Sequence, residues 1–159
     1  MTGQILVANT DGAYVVRLTG DVRMVLCLSF DKFINAMFED PLFHTVVFDL
    51  RATVAVDSTT LGLMAKIALR CIKAKMNRPV LLSDSAGMLR LFDSMGFDDI
   101  FVISDCCDSA SVDLTELVCE EGTEECFKRQ VVDAHKVLMS LNEHNQQVFQ
   151  ALVESLENK

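Results

Sequence analysis

The chain has 159 residues, half of them hydrophobic and 23% charged, enough to bury the core of one ordinary domain without metal or disulfide staples. A net charge of -9 and an isoelectric point near 4.7 argue against a general nucleic-acid or anionic-membrane surface. No basic, apolar leader opens the sequence and no apolar run approaches the roughly 18 residues that cross a bilayer, so the chain reads as cytoplasmic.

Gln4 to Asn9 and Ala13 to Thr19 are β-rich segments separated by Asp11-Gly12, a signal for a two-strand hairpin. Ser29 then precedes Phe30, Phe33, Ile34, Met37 and Phe38 at helical spacing and reads as an N-cap, with Pro41 marking the end of that helix. Thr45 to Leu50 is a continuous apolar run, the pattern of a central strand covered on both faces.

From Ser58 to Lys75 the residues Leu61, Met64, Ala65, Ala68, Leu69 and Ile72 recur at three and four, an amphipathic helix. Val80 to Ser83 reads as a buried strand, Ser85 to Gly96 as a short helix stopped by its glycine, and Ile100 to Ile103 as a further strand. The order β-β-α-β-α-β-α-β predicts an α/β domain whose later strands are parallel and joined by right-handed crossovers.

Residues 105–122 are acidic and carry no clean period, with an ordered piece expected near Leu114 to Val118. Residues 123–159 hold no Gly or Pro, and Phe127, Val131, Ala134, Leu138, Leu141, Val148 and Leu152 keep helical spacing. They read as one long helix or two broken near Asn142 to Gln147, packed on the domain or dimerising.

Of the six cysteines, Cys27 and Cys71 sit among apolar residues as small core side chains, and the adjacent pair Cys106 and Cys107 is badly placed for a mutual disulfide. There is no C-x-x-C and no His at ligand spacing, so neither metal nor cofactor is expected. His44, His135 and His144 have no partner readable from sequence.

Asp57, Ser58, Thr59 and Thr60 stand where strand hands over to helix. The plain reading is an N-cap, with the Asp side chain accepting from backbone N–H groups. A catalytic serine is disfavoured, since Gly-x-Ser-x-Gly is missing and no His or Lys is placed by sequence to activate it. The functional reading is a phosphorylation site at a helix N-terminus, where the dipole tolerates a dianion while a docking partner does not.

Tyr14 to Val22, Val46 to Leu50, Val56 to Gly62 and Gly87 to Phe97, read together in this order, resemble a STAS domain, the sulphate-transporter and anti-sigma-factor-antagonist family. The resemblance covers Gln4 to Ser104 and implies a small mixed sheet flanked by helices that binds partners without catalysis. In the soluble antagonist branch it implies that the unphosphorylated form binds an anti-sigma factor, usually a serine kinase of the histidine-kinase-like ATPase fold. That kinase phosphorylates the serine matching Ser58 and so ends the binding, and a PP2C-type phosphatase reverses it.

The pattern Asp-Ser-Ser-Gly-Leu-Gly departs at Thr60, where glycine is usual; Thr59 and Thr60 are further candidate acceptors. Partner binding is expected around Asp57, Ser58, Thr59, Thr60 and Leu61, with Asp21 after the hairpin and Asp49 at the end of the central strand lining the same surface. The tail from His135 to Glu157 is similar to extended gammaproteobacterial antagonists that work with a response regulator in biofilm and motility circuits. The alternative is a STAS subunit that steadies an ABC transporter ATPase with no phosphorylation switch.

Overall fold

In the computed structural model, which describes residues 2–105 and 113–158, the chain opens with antiparallel strands β1 (Gln4–Thr10) and β2 (Ala13–Val22). Asp11 and Gly12 at the turn take φ of 51° and 91°, the backbone of a two-residue hairpin whose twist matches its strands. A Cβ on Gly12 would overlap the Leu42 carbonyl oxygen, so only glycine fits.

A turn of 3-10 helix, Met24–Leu26, leads into α1 (Cys27–Glu39), whose buried stripe is Cys27, Phe30, Ile34 and Met37. Ser29 is not the N-cap that its position suggested. The 3-10 turn already winds the chain before it, and the Ser29 hydroxyl donates instead to the Val118 carbonyl.

β3 (Thr45–Val56), α2 (Ser58–Lys73), β4 (Val80–Leu82), α3 (Ala86–Met95) and β5 (Val102–Ser104) follow. Ser85 caps α3 by accepting from the Met88 N–H, and Gly96 ends it at φ 84°, as a left-handed stop requires. Ile100 and Phe101 fall short of β5: the Phe101 N–H is held by the Phe97 carbonyl at 2.9 Å, so the chain is still turning there. The turn brings Phe97 and Phe101 into a ring cluster with Phe92 and Phe48, at centroid separations of 5.1 to 5.8 Å.

A two-residue strand, β6 (Thr115–Glu116), lies within the stretch expected to be ordered, and the sheet runs β5-β4-β3-β2-β1-β6. Strands β2 to β5 are parallel neighbours, while β1 pairs antiparallel with β2 and β6. Each parallel connection steps in the same direction across the sheet. Right-handed crossovers therefore place α1, α2 and α3 on one face.

That topology overturns the reading of β3 as covered on both faces. Val46, Phe48 and Leu50 are buried, whereas Val47 and Arg51 on the opposite side are partly open. Asp49 lies on that second side, mid-strand, 5% exposed and paired with Arg17 and Arg51 at 3.2 and 3.0 Å.

The tail forms α4 (Glu124–Met139) and α5 (Glu143–Glu157), broken at residues 140–142 where Asn142 caps α5. α4 crosses α2 so closely that a Cβ on Gly62 would overlap the Ala134 carbonyl oxygen. Leu138 enters the core from α4. Cys27 and Cys71 are buried free thiols, both pushed up to about 11 chiefly by desolvation. Cys106 and Cys107 lie outside the described residues.

Burial acts to raise the Asp49 carboxyl, but hydrogen bonds and charge from Arg51, with Arg17, hold it below the ordinary carboxylate value. A depressed folded-state value contributes stability above the unfolded value of about 3.9, lost as pH falls through the folded one. Asp49→Asn should therefore lower stability at pH 7 by about 1–3 kcal/mol in urea unfolding. The same variant should lose less stability than the parent on acidification below about pH 4.

Candidate functional site

The site is built where β2 and β3 end side by side, with Asp21 in register with Ala55 and Val22 with Val56. The Asp57 N–H continues this pairing by donating to the Val22 carbonyl at 3.1 Å. Its carboxylate then does two jobs. Oδ1 accepts from the Thr60 N–H at 2.9 Å, capping α2, and Oδ2 accepts from the Met24 N–H, fixing the start of the 3-10 turn. The expected N-cap is present, and it also joins three elements.

Ser58 follows as the first residue of α2 and is half-buried. Its Oγ lies 2.7 Å from His135 Nε2, and His135 Nδ1 lies 2.6 Å from the Val131 carbonyl one turn back on α4. A carbonyl only accepts, so Nδ1 carries a proton; in the neutral imidazole Nε2 is then the acceptor and the Ser58 hydroxyl donates to it. His135 is 2% exposed, with its ring edge-on to Phe149 at 4.9 Å.

Three of the seven residues expected at the site meet at the surface: Asp21, Asp57 and Ser58. Asp21 is held by the Arg23 guanidinium at 2.8 and 2.9 Å, whose hydrogen bonds keep its carboxyl below the usual range. Thr59, Thr60 and Leu61 are adjacent in sequence but 4%, 2% and 1% exposed, because the first turn of α2 faces the core and α4. Neither threonine hydroxyl is presented to an enzyme or a partner. Asp49 stands seven residues before the end of β3, on the order of 20 Å from Ser58 at strand rise. β3 runs on past the six-residue segment Thr45–Leu50 that marked it, so Asp49 does not end the strand and belongs to the Arg17–Arg51 cluster.

Sequence reasoning missed His135, which had seemed partnerless, and missed the apolar pair Met24 and Val25, 39% and 53% exposed beside Asp57. Nothing local links Ser58 to a histidine 77 positions on. The available hint was a glycine inside a strong helix, Gly62, where a second helix approaches.

An imidazole acceptor oriented through its other nitrogen helps a hydroxyl to act as a nucleophile. In the first turn of α2 the Thr60 N–H is taken by the Asp57 side chain and the Leu61 N–H by the Asp57 carbonyl. Ser58 lies on a surface with both apolar and acidic neighbours, Met24 and Val25 on one side and Asp21 and Asp57 on the other.

No family model matches the chain, and no curated protein matches it. Solved structures do share its fold. An anti-sigma factor antagonist from Mycobacterium paratuberculosis aligns at 23% identity with a TM-score of 0.54, over 67% of this chain and 89% of that one. The anti-sigma factor antagonist SpoIIAA in its unphosphorylated form aligns at 22% identity and 0.51, over 64% and 87%. The STAS-type α/β fold expected from the sequence is the fold observed, and about a third of this chain extends beyond it.

Removing the Ser58 hydroxyl strands a buried imidazole nitrogen. Ser58→Ala should cost about 1–3 kcal/mol in urea unfolding, and His135→Leu in the same chain should recover part of that loss. The double-mutant cycle should give a coupling of about 1 kcal/mol; additive losses would show that the hydrogen bond is not formed in solution.

Proposed function

We propose that this protein is an anti-sigma factor antagonist, acting by binding, whose unphosphorylated form engages an anti-sigma factor through Asp57, Ser58 and the exposed Met24 and Val25. Phosphorylation of Ser58 by a kinase-type partner of the histidine-kinase-like ATPase fold ends that complex. A PP2C-type phosphatase, or a response regulator carrying such activity, restores it. Asp21 borders the same surface.

The observation that carries this reading is the contrast within the hydroxyl triplet. Thr59 and Thr60 are buried while Ser58 is half-open, in the first turn of a capped helix, on a fold shared with two antagonists. The helix N-terminus favours an anion there by roughly 0.3–1 kcal/mol, so a phosphate need not unfold the chain. The same phosphate adds about -1.5 to -2 charges to a surface beside Asp21 and Asp57. Repulsion and lost desolvation energy on docking should then amount to ~3–4 kcal/mol, a hundred- to thousand-fold in affinity.

The test has two parts. Protein taken from its own cells should carry one phosphate that maps to Ser58 and is lost in Ser58→Ala. The anti-sigma factor that co-purifies with the parent should bind Ser58→Asp at least a hundredfold more weakly in calorimetry; equal affinity would end the reading. Capture of a membrane-bound ATPase in place of an anti-sigma factor would support the transporter alternative.

A further inference from the structure

The surface around Ser58 is already partly occupied by the chain's own C-terminus. α4 lies across α2 at Gly62 and Ala134, and the Ser58 hydroxyl donates its hydrogen bond to His135 Nε2. An anti-sigma factor that docks on the start of α2, or an enzyme that modifies Ser58, meets α4 first.

The helical hairpin is attached by polar anchors as well as by apolar packing. Gln130 Nε2 donates to Asp31 Oδ2 at 3.0 Å, Asn142 Nδ2 to the Ser94 carbonyl at 3.2 Å, and Asn145 Nδ2 to the Met95 carbonyl at 2.8 Å. Among the described residues Leu138 joins the main buried core from α4, Val132, Ala134 and Val153 are buried outside it, and Phe127, Val137, Leu141 and Phe149 lean on it half-buried. The polar anchors exchange with water at low cost, so opening is opposed chiefly by the apolar contacts around Leu138 and Ala134.

The connection is suited to it as well. β6 pairs with β1, the Leu117 N–H donates to the Ile5 carbonyl, and Ser29 holds the Val118 carbonyl, all before α4 begins. Lys32 reaches Glu120 at 3.0 Å. The chain is thus pinned to the sheet domain up to Glu120, and separation of α4 and α5 beyond that point would break no sheet hydrogen bond.

We propose that the α4–α5 hairpin is an autoinhibitory cover, which when closed holds Ser58 Oγ on His135 Nε2 and occupies the docking face of α2, and which opens as a unit to admit the protein partner. This rests on the binding function proposed above and adds its regulation. Closure lowers the apparent affinity by the fraction of molecules that are open, and by linkage a bound partner holds the hairpin open.

Gly62→Ala tests it in the full chain, since the added methyl collides with α4 while improving the helix propensity of α2. Hydrogen exchange should show α4 and α5 amides at least ~tenfold faster in the variant, with β2 and β3 amides still slow. In a Ser58→Cys background, N-ethylmaleimide should label position 58 at least ~tenfold faster when Gly62→Ala is added. Peptide mass mapping counts the six native cysteines separately from position 58. Ala134→Leu, which presses from the hairpin side and leaves the sheet domain native, should reproduce both effects.

Unchanged labelling, or acceleration of all amides together in both variants, would overturn the proposal by making the hairpin an integral part of one cooperative fold. Neither measurement involves a kinase or a partner. A chain never phosphorylated in cells would therefore remove the proposed function without altering these results, and a failed opening would leave that function standing.

Discussion

The arrangement of the site depends on one carboxylate. Asp57 ends the β3 segment by donating its N–H to Val22, caps α2 through Thr60, and fixes the Met24 N–H at the entry to α1. Three elements meet at a residue that cannot move without releasing these hydrogen bonds and the one its carbonyl accepts from the Leu61 N–H. Ser58 inherits that rigidity: its hydroxyl direction follows from the helix start that Asp57 imposes, which is how a half-open side chain meets an imidazole at 2.7 Å.

Topology then decides what surrounds it. Because every crossover from β2 to β5 steps the same way, the helices share one face and the opposite face is left to Arg17, Asp49 and Arg51. An extra pair of helices added to such a domain finds its apolar surface on the helical side. α4 accordingly lands on α2, over the glycine that lets two backbones approach. The additional helices and the hydroxyl thus come together through packing geometry, with no motif required.

The elements legible in the sequence were those written in local chemistry. Asp11-Gly12 announced the hairpin, the three-and-four spacing from Leu61 to Ile72 announced α2, and Gly96 announced the end of α3. Errors arose where the apolar pattern had two meanings. The run Thr45 to Leu50 looks the same whether a strand is covered on both faces or has its far side roofed by arginines, and its boundary misplaced Asp49 relative to Ser58. Ser29 precedes a helical stripe as a cap does, yet a 3-10 turn upstream made capping unnecessary. His135 was invisible for a different reason: its partner lies 77 residues away, and only the packed helices bring the two together.

The choice of residues at the α2–α4 contact gives these observations a common physical reading. A permanent helical layer gains most by burying leucines and leaving no polar atom to satisfy. Here α4 buries a histidine, 2% exposed, beside Ala134 and Leu138, and α5 buries an asparagine, 1% exposed, against α3, both hydrogen-bonded; among the described residues no buried side-chain nitrogen or oxygen lacks a partner. Such contacts contribute little net stability when formed, since water offers similar bonds, but they penalise any mispaired arrangement heavily. A layer held this way has one well-defined closed position and a modest cost of leaving it. Placing the Ser58 proton inside that set makes the hydroxyl a component of the closure as well as a surface group, so whatever occupies the hydroxyl must also engage the position of α4.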